Sequence, residues 1–376
     1  MYKPIQNSIV MFKPEKQKNR KTEKQKNNQI TKLTNTTFER NTMSKKKILI
    51  TGITGFVGSH MADWILEHHG DDVEIHATKR YHLSRLDNVR HIEDRLTWHD
   101  CNLTDPIATV KLITNLKPDV IFHFAAESFV SPSWDHPHVY MTVNYNATLN
   151  ILEGMRLSGR DDIKILIPGS GEEYGDIAEE DIPITTKTAM HPVNPYAVSK
   201  VAQDLIGFVY FKSYGTKVIR TRAFNHEGPR RDKVFGIPWY AYQIACIEAG
   251  KQSKHMEVGY LDDFRNFTHV QDIVVAYWLA VEKCNPGQLY LVGSDHRDES
   301  KEYTFRQALE MLIEMSTVDG ITYETVPKYT RPTKVPRLIA DTGEFREITN
   351  WNPTISFEQI LRDTLNYWRD RVGQNS

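Results

Sequence analysis

Three glycines at a spacing of three, Gly52, Gly55 and Gly58, separate an apolar run at residues 48 to 51 from a helix-like stretch at 57 to 69. A strand entering such a turn and a helix leaving it restrict the fold severely. The missing side chains allow a tight turn, close approach of a pyrophosphate, and packing of the helix on the sheet. A three-glycine turn alone also occurs in ordinary loops; the strand and helix on either side assign this one to dinucleotide binding, with Thr54, Phe56 and Val57 carried in the same turn.

From Lys47 short β-branched runs alternate with helical stretches, the pattern that builds a parallel sheet covered on both faces. Strands are expected at 48–51, 73–78, 119–124, 163–168 and 218–222, and long helices at 139–157 and 196–214. After Arg222 the pattern becomes irregular, with helix-like stretches at 237–249, 304–315 and 355–371. The fold class is α/β, a Rossmann-type doubly wound parallel sheet with a smaller C-terminal α/β substrate-binding lobe. The boundaries expected are 1–43 as a disordered basic extension, 44–222 as the nucleotide domain and 223–376 as mainly the substrate lobe, with segments within 266–293 returning to the first domain.

Charge is unevenly placed. The first 47 residues hold 13 Lys+Arg against 3 Glu, leaving 34 against 45 in the remainder, so the body is acidic although the whole chain stands at -1. An acidic body lacks the clustered positive charge that phosphate backbones require, which excludes nucleic-acid binding through it. Residues 1 to 43 are rich in Lys, Asn, Gln and Thr and cannot bury enough apolar surface to offset ordering entropy. They read as disordered, or in a functional reading as a tether to an anionic surface. Met43 stands directly before Ser-Lys-Lys-Lys-Ile-Leu-Ile, so a chain begun there would hold the compact part, and the upstream residues read as a gene-model extension. No run approaches the roughly 20 apolar residues of a membrane span. Cys101, Cys246 and Cys284 are scattered without metal-ligand spacing, from which a cytoplasmic protein with no disulfide and no metal is expected.

Tyr196 and Lys200, four apart, share one side of a helix, so an ammonium could favour ionisation of the phenol beside a bound nicotinamide. Ser170, 26 residues earlier at the end of a strand, adds a hydroxyl to orient a substrate oxygen. Glu172 adds a carboxylate, which proton removal beside a new ketone would need; its other reading is a surface loop charge, and that is the expected reading of Glu173. After the second strand stand Lys79 and Arg80 where an NAD enzyme commonly carries an acid. This favours the 2′-phosphate of NADP over NAD, the alternative being a solvated basic loop. Asn102 and Leu103, before Thr104-Asp105, follow the third strand, where a side chain can reach adenine.

With these residues in hand, positions 46 to 371 resemble the extended short-chain dehydrogenase/reductase family. The segments Ile121-Phe-His-Phe-Ala-Ala-Glu-Ser128, Ser170-Gly-Glu-Glu-Tyr-Gly175, Phe224-Asn-His-Glu-Gly-Pro-Arg-Arg231 and Arg331-Pro-Thr-Lys-Val335 resemble its nucleotide-sugar branch that handles GDP-mannose. The resemblance implies catalysis by Ser170, Glu172, Tyr196 and Lys200, with Ala125 and Ala126 added to the cofactor side. It implies a substrate side of Ser128, Asn225, Arg230, Arg265 and Arg331. Three positions depart from the pattern: Asn102 for an adenine-side Asp, Glu127 for a frequent Gln, and Lys334 for a Glu that takes ribose hydroxyls.

The activity implied is 4,6-dehydration of GDP-mannose by internal hydride transfer, with bound NADP regenerated in each cycle. A reductase of the 4-keto-6-deoxy sugar, consuming NADPH, is the sister reading, and a catalytically silent sensor of NADPH or a sugar nucleotide is the non-enzymatic one. Helices 139–157 and 196–214 resemble the pair through which relatives dimerise, implying a homodimer or tetramer; their apolar faces are equally consistent with ordinary core.

Overall fold

The computed structural model describes residues 45–298, 301–333 and 335–374. The basic extension at 1–43 and the departure at Lys334 lie outside the described residues.

Seven parallel strands form the central sheet: β1 (Lys46–Thr51), β2 (Val73–Lys79), β3 (Thr97–Asp100), β4 (Val120–His123), β5 (Lys164–Ser170), β6 (Lys217–Ala223) and β7 (Leu289–Val292). Their order is β7-β6-β5-β4-β1-β2-β3. β1 pairs with both β2 and β4, so the order reverses beside the glycine turn, the place where open α/β sheets bind ligands.

Apolar runs form the central strands β1, β4 and β5 because both faces are covered, while the edge strand β3, Thr-Trp-His-Asp, is partly exposed. Ile48 and Ile50 pack toward α1 (Phe56–His69) and a helix at Val270–Lys283, while Leu49 between them packs toward α2 (Pro106–Leu116) and α3 (Ala147–Leu157). Asp105 starts α2 by accepting from the Ile107 and Ala108 N–H groups, with Pro106 at the first helical position. The helix at 270–283 leads into β7, which pairs with β6.

The stretch at 139–157 is not one regular helix. A short turn at Pro137–Tyr140 runs into a π-helical turn at Met141–Asn146 before α3 begins. Asn144, in that turn, explains the departure: its amide accepts from the Glu127 N–H at 2.8 Å and donates to the Glu127 carbonyl at 3.0 Å and to Ser199 Oγ at 2.8 Å. Satisfying one buried side chain against two other segments is a recurrent cause of such a widened turn near functional sites.

α4 (Pro195–Tyr214) begins at an Asn194 cap and stops at Gly215, which takes a left-handed conformation. A second core gathers helices Gly236–Glu248, Phe305–Glu314 and Phe357–Gln374 around Tyr240, Ile244, Leu309, Leu312, Ile360 and Leu361. No helix among the described residues is long and apolar enough to cross a membrane. Cys101, Cys246 and Cys284 are free and buried.

Candidate active site

β1 ends in a turn whose backbone lies directly on the exit of β4. Gly52 has φ +67°, and a Cβ there would stand 2.5 Å from the Ala125 nitrogen; a Cβ on Gly58 would meet the Gly52 carbonyl oxygen at 2.4 Å. Gly55 caps α1 without a side-chain hydrogen bond, which leaves the first-turn N–H groups for another acceptor. Phe56, Val57 and Gly58 of that turn line a cleft of about 290 Å³. A helix end of this kind fits a pyrophosphate, so the residues present are suited to a nicotinamide dinucleotide.

Across the cleft, β5 passes at Ser170 into a single 3₁₀ turn, Gly171–Glu173. Ser170 Oγ accepts from the Glu172 N–H at 3.2 Å, and Glu173 Oε1 accepts from the Ser170 N–H at 2.7 Å, a reciprocal cap. The turn sends its two carboxylates to different places. Glu172 lines the cleft, with Oε2 accepting from Asn194 Nδ2 at 3.1 Å and Oε1 3.6 Å from Arg331 Nη1. Glu173, expected as a surface charge, is instead fully buried, 2.8 Å from Arg222 Nε. The reason is tertiary: β6 brings a guanidinium beneath the turn, and Gly169 leaves it room, since a Cβ there would lie 2.4 Å from Glu173 Oε1.

Tyr196 sits in the first turn of α4 and Lys200 one turn further, both buried and both lining the cleft. Burial pushes the Tyr196 phenol well above its ordinary pKa; a hydrogen bond with Ser170 opposes this, and the charges of Glu172 and Glu173 add to it. Burial brings the Lys200 ammonium down to about 8, against the opposing charges of Glu173 and Asp204. Lys200 Nζ donates to the Pro168 carbonyl at 2.6 Å and to Gln203 Oε1.

The cleft thus brings together Gly52, Gly55, Phe56, Val57 and Gly58 with Ala126 and Ser128, and sets them opposite Ser170, Glu172, Tyr196, Lys200, Asn225 and Arg331. Thr54 and Arg230 line an adjoining cavity of about 680 Å³ instead, and Arg230 is 2.6 Å from Asp63. Lys79, Arg80, Asn102, Leu103, Ala125 and Arg265 line neither. Lys79 lies over the Trp98 ring, Asn102 Oδ1 accepts from Thr104, and the Leu103 side chain is core. Ala125 donates its N–H to Thr51 Oγ1 at 3.2 Å. Arg265 is buried and donates to the Phe264 carbonyl at 2.7 Å, close enough to the site for the charges of Glu172 and Arg331 to act on it.

Residue-by-residue reading of the sequence missed three members of the site. Asn194 was readable only as part of an Asn-Pro helix start. His226 and Arg231 lie in the cleft inside the Phe224–Arg231 segment. His226 stacks on Phe56 with ring centroids 5.9 Å apart, and its pKa falls to about 4 through burial and the Arg231 charge, so it is a neutral wall at physiological pH. The Arg231 guanidinium lies 4.2 Å from the Phe235 ring centroid and 5.7 Å from that of Phe56. Away from the cleft, Asp295, His296 and Asp341 bring ligand atoms within 4.8 Å of one another, but Asp295 already accepts from Arg297 and Thr342.

The chain is similar to known proteins over most of its length. Residues 49–364 match the family model described as GDP-mannose 4,6 dehydratase. The GDP-6-deoxy-D-mannose reductase of Pseudomonas aeruginosa is 29% identical over 329 residues, covering 88% of this chain and 99% of that protein. The GDP-mannose 4,6-dehydratase of Yersinia enterocolitica is 28% identical over 351 residues, covering 85% and 93%. Among solved structures, RMD from Pseudomonas aeruginosa complexed with NADPH superposes with a TM-score of 0.73 at 28% identity, covering 87% of this chain and 100% of that one. The dTDP-glucose 4,6-dehydratase of Streptomyces venezuelae shares the fold with a TM-score of 0.76 at 24% identity, covering 87% and 98%. With a glycine turn open to a dinucleotide, a Ser-Glu-Tyr-Lys cleft facing it, and a family match over most of its length, this chain belongs to the GDP-mannose 4,6 dehydratase family.

Proposed function

We propose that the chain is an NADP-dependent nucleotide-sugar 4,6-dehydratase that converts GDP-mannose to GDP-4-keto-6-deoxy-mannose and water. The observation that carries this reading is the placement of Glu172 in the same cleft as Ser170, Tyr196 and Lys200. A plain alcohol oxidation needs no carboxylate beside the ketone, whereas elimination needs a base for the carbon acid that the ketone creates.

Ser170 and Tyr196 hold the C4 hydroxyl, and the Tyr196 phenolate takes its proton. Glu172 takes the C5 proton and passes it to the departing C6 hydroxyl, which leaves as water. Tyr196 then returns its proton to C5. A nicotinamide held there would supply hydride transfer from C4 and back to C6, with no external reductant consumed. The first-turn N–H groups of α1 would hold the pyrophosphate, Lys200 the nicotinamide ribose, and Lys79 and Arg80 a 2′-phosphate, which favours NADP over NAD. Asn225, Arg265 and Arg331 would serve the sugar nucleotide. Residues to 222 would thus serve mainly the cofactor and those from 223 mainly the substrate.

α4 leaves Val198, Leu205 and Val209 exposed at 47%, 42% and 47%. Spacings of seven and four put them on one stripe, and a second copy packing there through the same helix would form a homodimer. Three free, buried thiols support a reducing, cytoplasmic setting.

The test is incubation of the purified protein with GDP-mannose and resolution of the sugar nucleotides by mass. Loss of one water without net NADPH consumption is the expected result. The reductase reading is favoured by the Pseudomonas aeruginosa relative, which this chain covers almost completely. Unchanged GDP-mannose, together with stoichiometric NADPH consumption on the 4-keto-6-deoxy sugar, would replace dehydration by that reading.

A further inference from the structure

Below the cleft lie four buried ionic side chains that the reaction scheme does not use. Arg222 spans two of them, with Nε 2.8 Å from Glu173 Oε2 and Nη2 2.7 Å from Asp204 Oδ2; Arg220 Nη1 stands 3.1 Å from Asp204 Oδ1. Well-packed apolar residues often match or exceed such a network in stability, so stability alone is a weak reason for it. Its connections point upward instead. Glu173 Oε1 holds the Ser170 N–H, and Ser170 lines the same cleft as Tyr196, close enough to act on the phenol. From α4, Asp204 and Lys200 face Glu173, and Arg222 faces it from β6; burial and the Asp204 charge push its carboxyl up to about 7 against Arg222, the Ser170 N–H and Lys200, so its negative charge is fully present only on the alkaline side, where Tyr174 and Tyr196 also feel it.

We propose that Glu173 is a positioning residue, whose buried carboxylate fixes Ser170 through its N–H and keeps a negative charge beneath Lys200 so that Lys200 remains an ammonium. The inference rests on the reading of Tyr196 and Lys200 as the catalytic pair, and holds for dehydration and reduction alike. Two lengths meet at this one side chain. A glutamate reaches both the Ser170 N–H and Arg222, whereas an aspartate would keep the charge and lose the reach. The sign of the electrostatic part follows from the site: Glu173 opposes the burial that lowers Lys200, so removing its charge makes Lys200 lose its proton at a lower pH.

The test pairs Glu173→Gln with Glu173→Asp, both checked for thermal unfolding, and titrates NADPH fluorescence between about pH 6 and pH 10 without any sugar. In E173Q the alkaline limb of NADPH binding moves down by about one pH unit. In E173D the limb stays near that of the parent protein, while kcat on the sugar nucleotide remains reduced by about tenfold or more. A limb in E173Q that coincides with the parent overturns the proposal, whatever happens to kcat. Should E173Q not fold, E173D decides, and a parental kcat there overturns the positioning role. Because the limb is read on NADPH alone, a protein that ignores GDP-mannose yet shows the shift would defeat the proposed function and leave this inference standing.

Discussion

Asn194 ties the carboxylate of the site to the helix that carries its phenol: Nδ2 donates to Glu172 Oε2 at 3.1 Å, while Oδ1 accepts from the Ala197 N–H at 2.7 Å. One amide thus caps α4 in the turn of Tyr196 and aims Glu172 into the same cleft. Asn194→Ala should cost about 1 kcal/mol of stability through the lost cap. It should also lower kcat by more than that loss explains. Thermal unfolding and steady-state rates on one preparation check both, and a stability loss with unchanged kcat would confine Asn194 to helix capping.

Glu172→Gln removes the proposed carbon-acid base while keeping shape and the Asn194 contact. Turnover should fall by about 10²–10⁴, the usual range for a general base. Oxidation at C4 should survive, visible as transient reduced nicotinamide in a single turnover. Deuterium uptake from solvent at C5 should disappear.

Gly52→Ala meets two obstacles at once, a left-handed backbone that costs an L residue about 1–2 kcal/mol and a collision with the Ala125 nitrogen. The turn should shift and NADPH affinity should drop by about tenfold or more, since a 1.4 kcal/mol distortion of the cradle is already a factor of ten. NADPH fluorescence titration measures it directly.

Glu227 is buried at the edge of the cleft segment, and burial pushes its carboxyl up to about 7 despite the Arg231 charge. Between its unfolded value, about 4.3, and about 7 the folded state holds a proton that the unfolded state has lost, so this group's contribution to stability falls as pH rises. The stability of the parent protein relative to Glu227→Gln should therefore fall from pH 4.5 to pH 7 and level off above. Denaturant melts at several pH values test it; a constant difference would mean that Glu227 is ionised throughout.

Leu205→Glu places a charge in the centre of the exposed stripe on α4. If that stripe is covered by a second copy, light scattering after size exclusion should show a dimer for the parent protein and a monomer for the variant, with the melting temperature of the monomer fold little changed.

Most of the sheet was legible because its central strands are short apolar runs, whereas the edge strand Thr97–Asp100 is polar and carries no such signal; the strand-turn-helix around Gly52, Gly55 and Gly58 can be recognised without partners. The start of α4 was legible for the same local reason, at Asn194-Pro195. The π turn at Met141–Asn146 was not, since it depends on Asn144 reaching Glu127, 17 residues away in the chain. Arg230 and Arg231 are adjacent in sequence and alike in chemistry; only packing sends the first to Asp63 and brings the second over Phe56 and Phe235.

Periodicity and turn chemistry, which act over a few residues, were enough to establish a Rossmann-type α/β fold, and the Ser-Glu and Tyr-Lys motifs were enough to single out side chains that line one cleft. The fate of each charge was decided elsewhere. Glu172 and Glu173 are the same residue one position apart, yet one lines the cleft against Asn194 and Arg331 and the other is sealed against Arg222. Desolvation and pairing depend on strands and helices far away in the chain, so which glutamate can meet a substrate is a property of the tertiary structure alone.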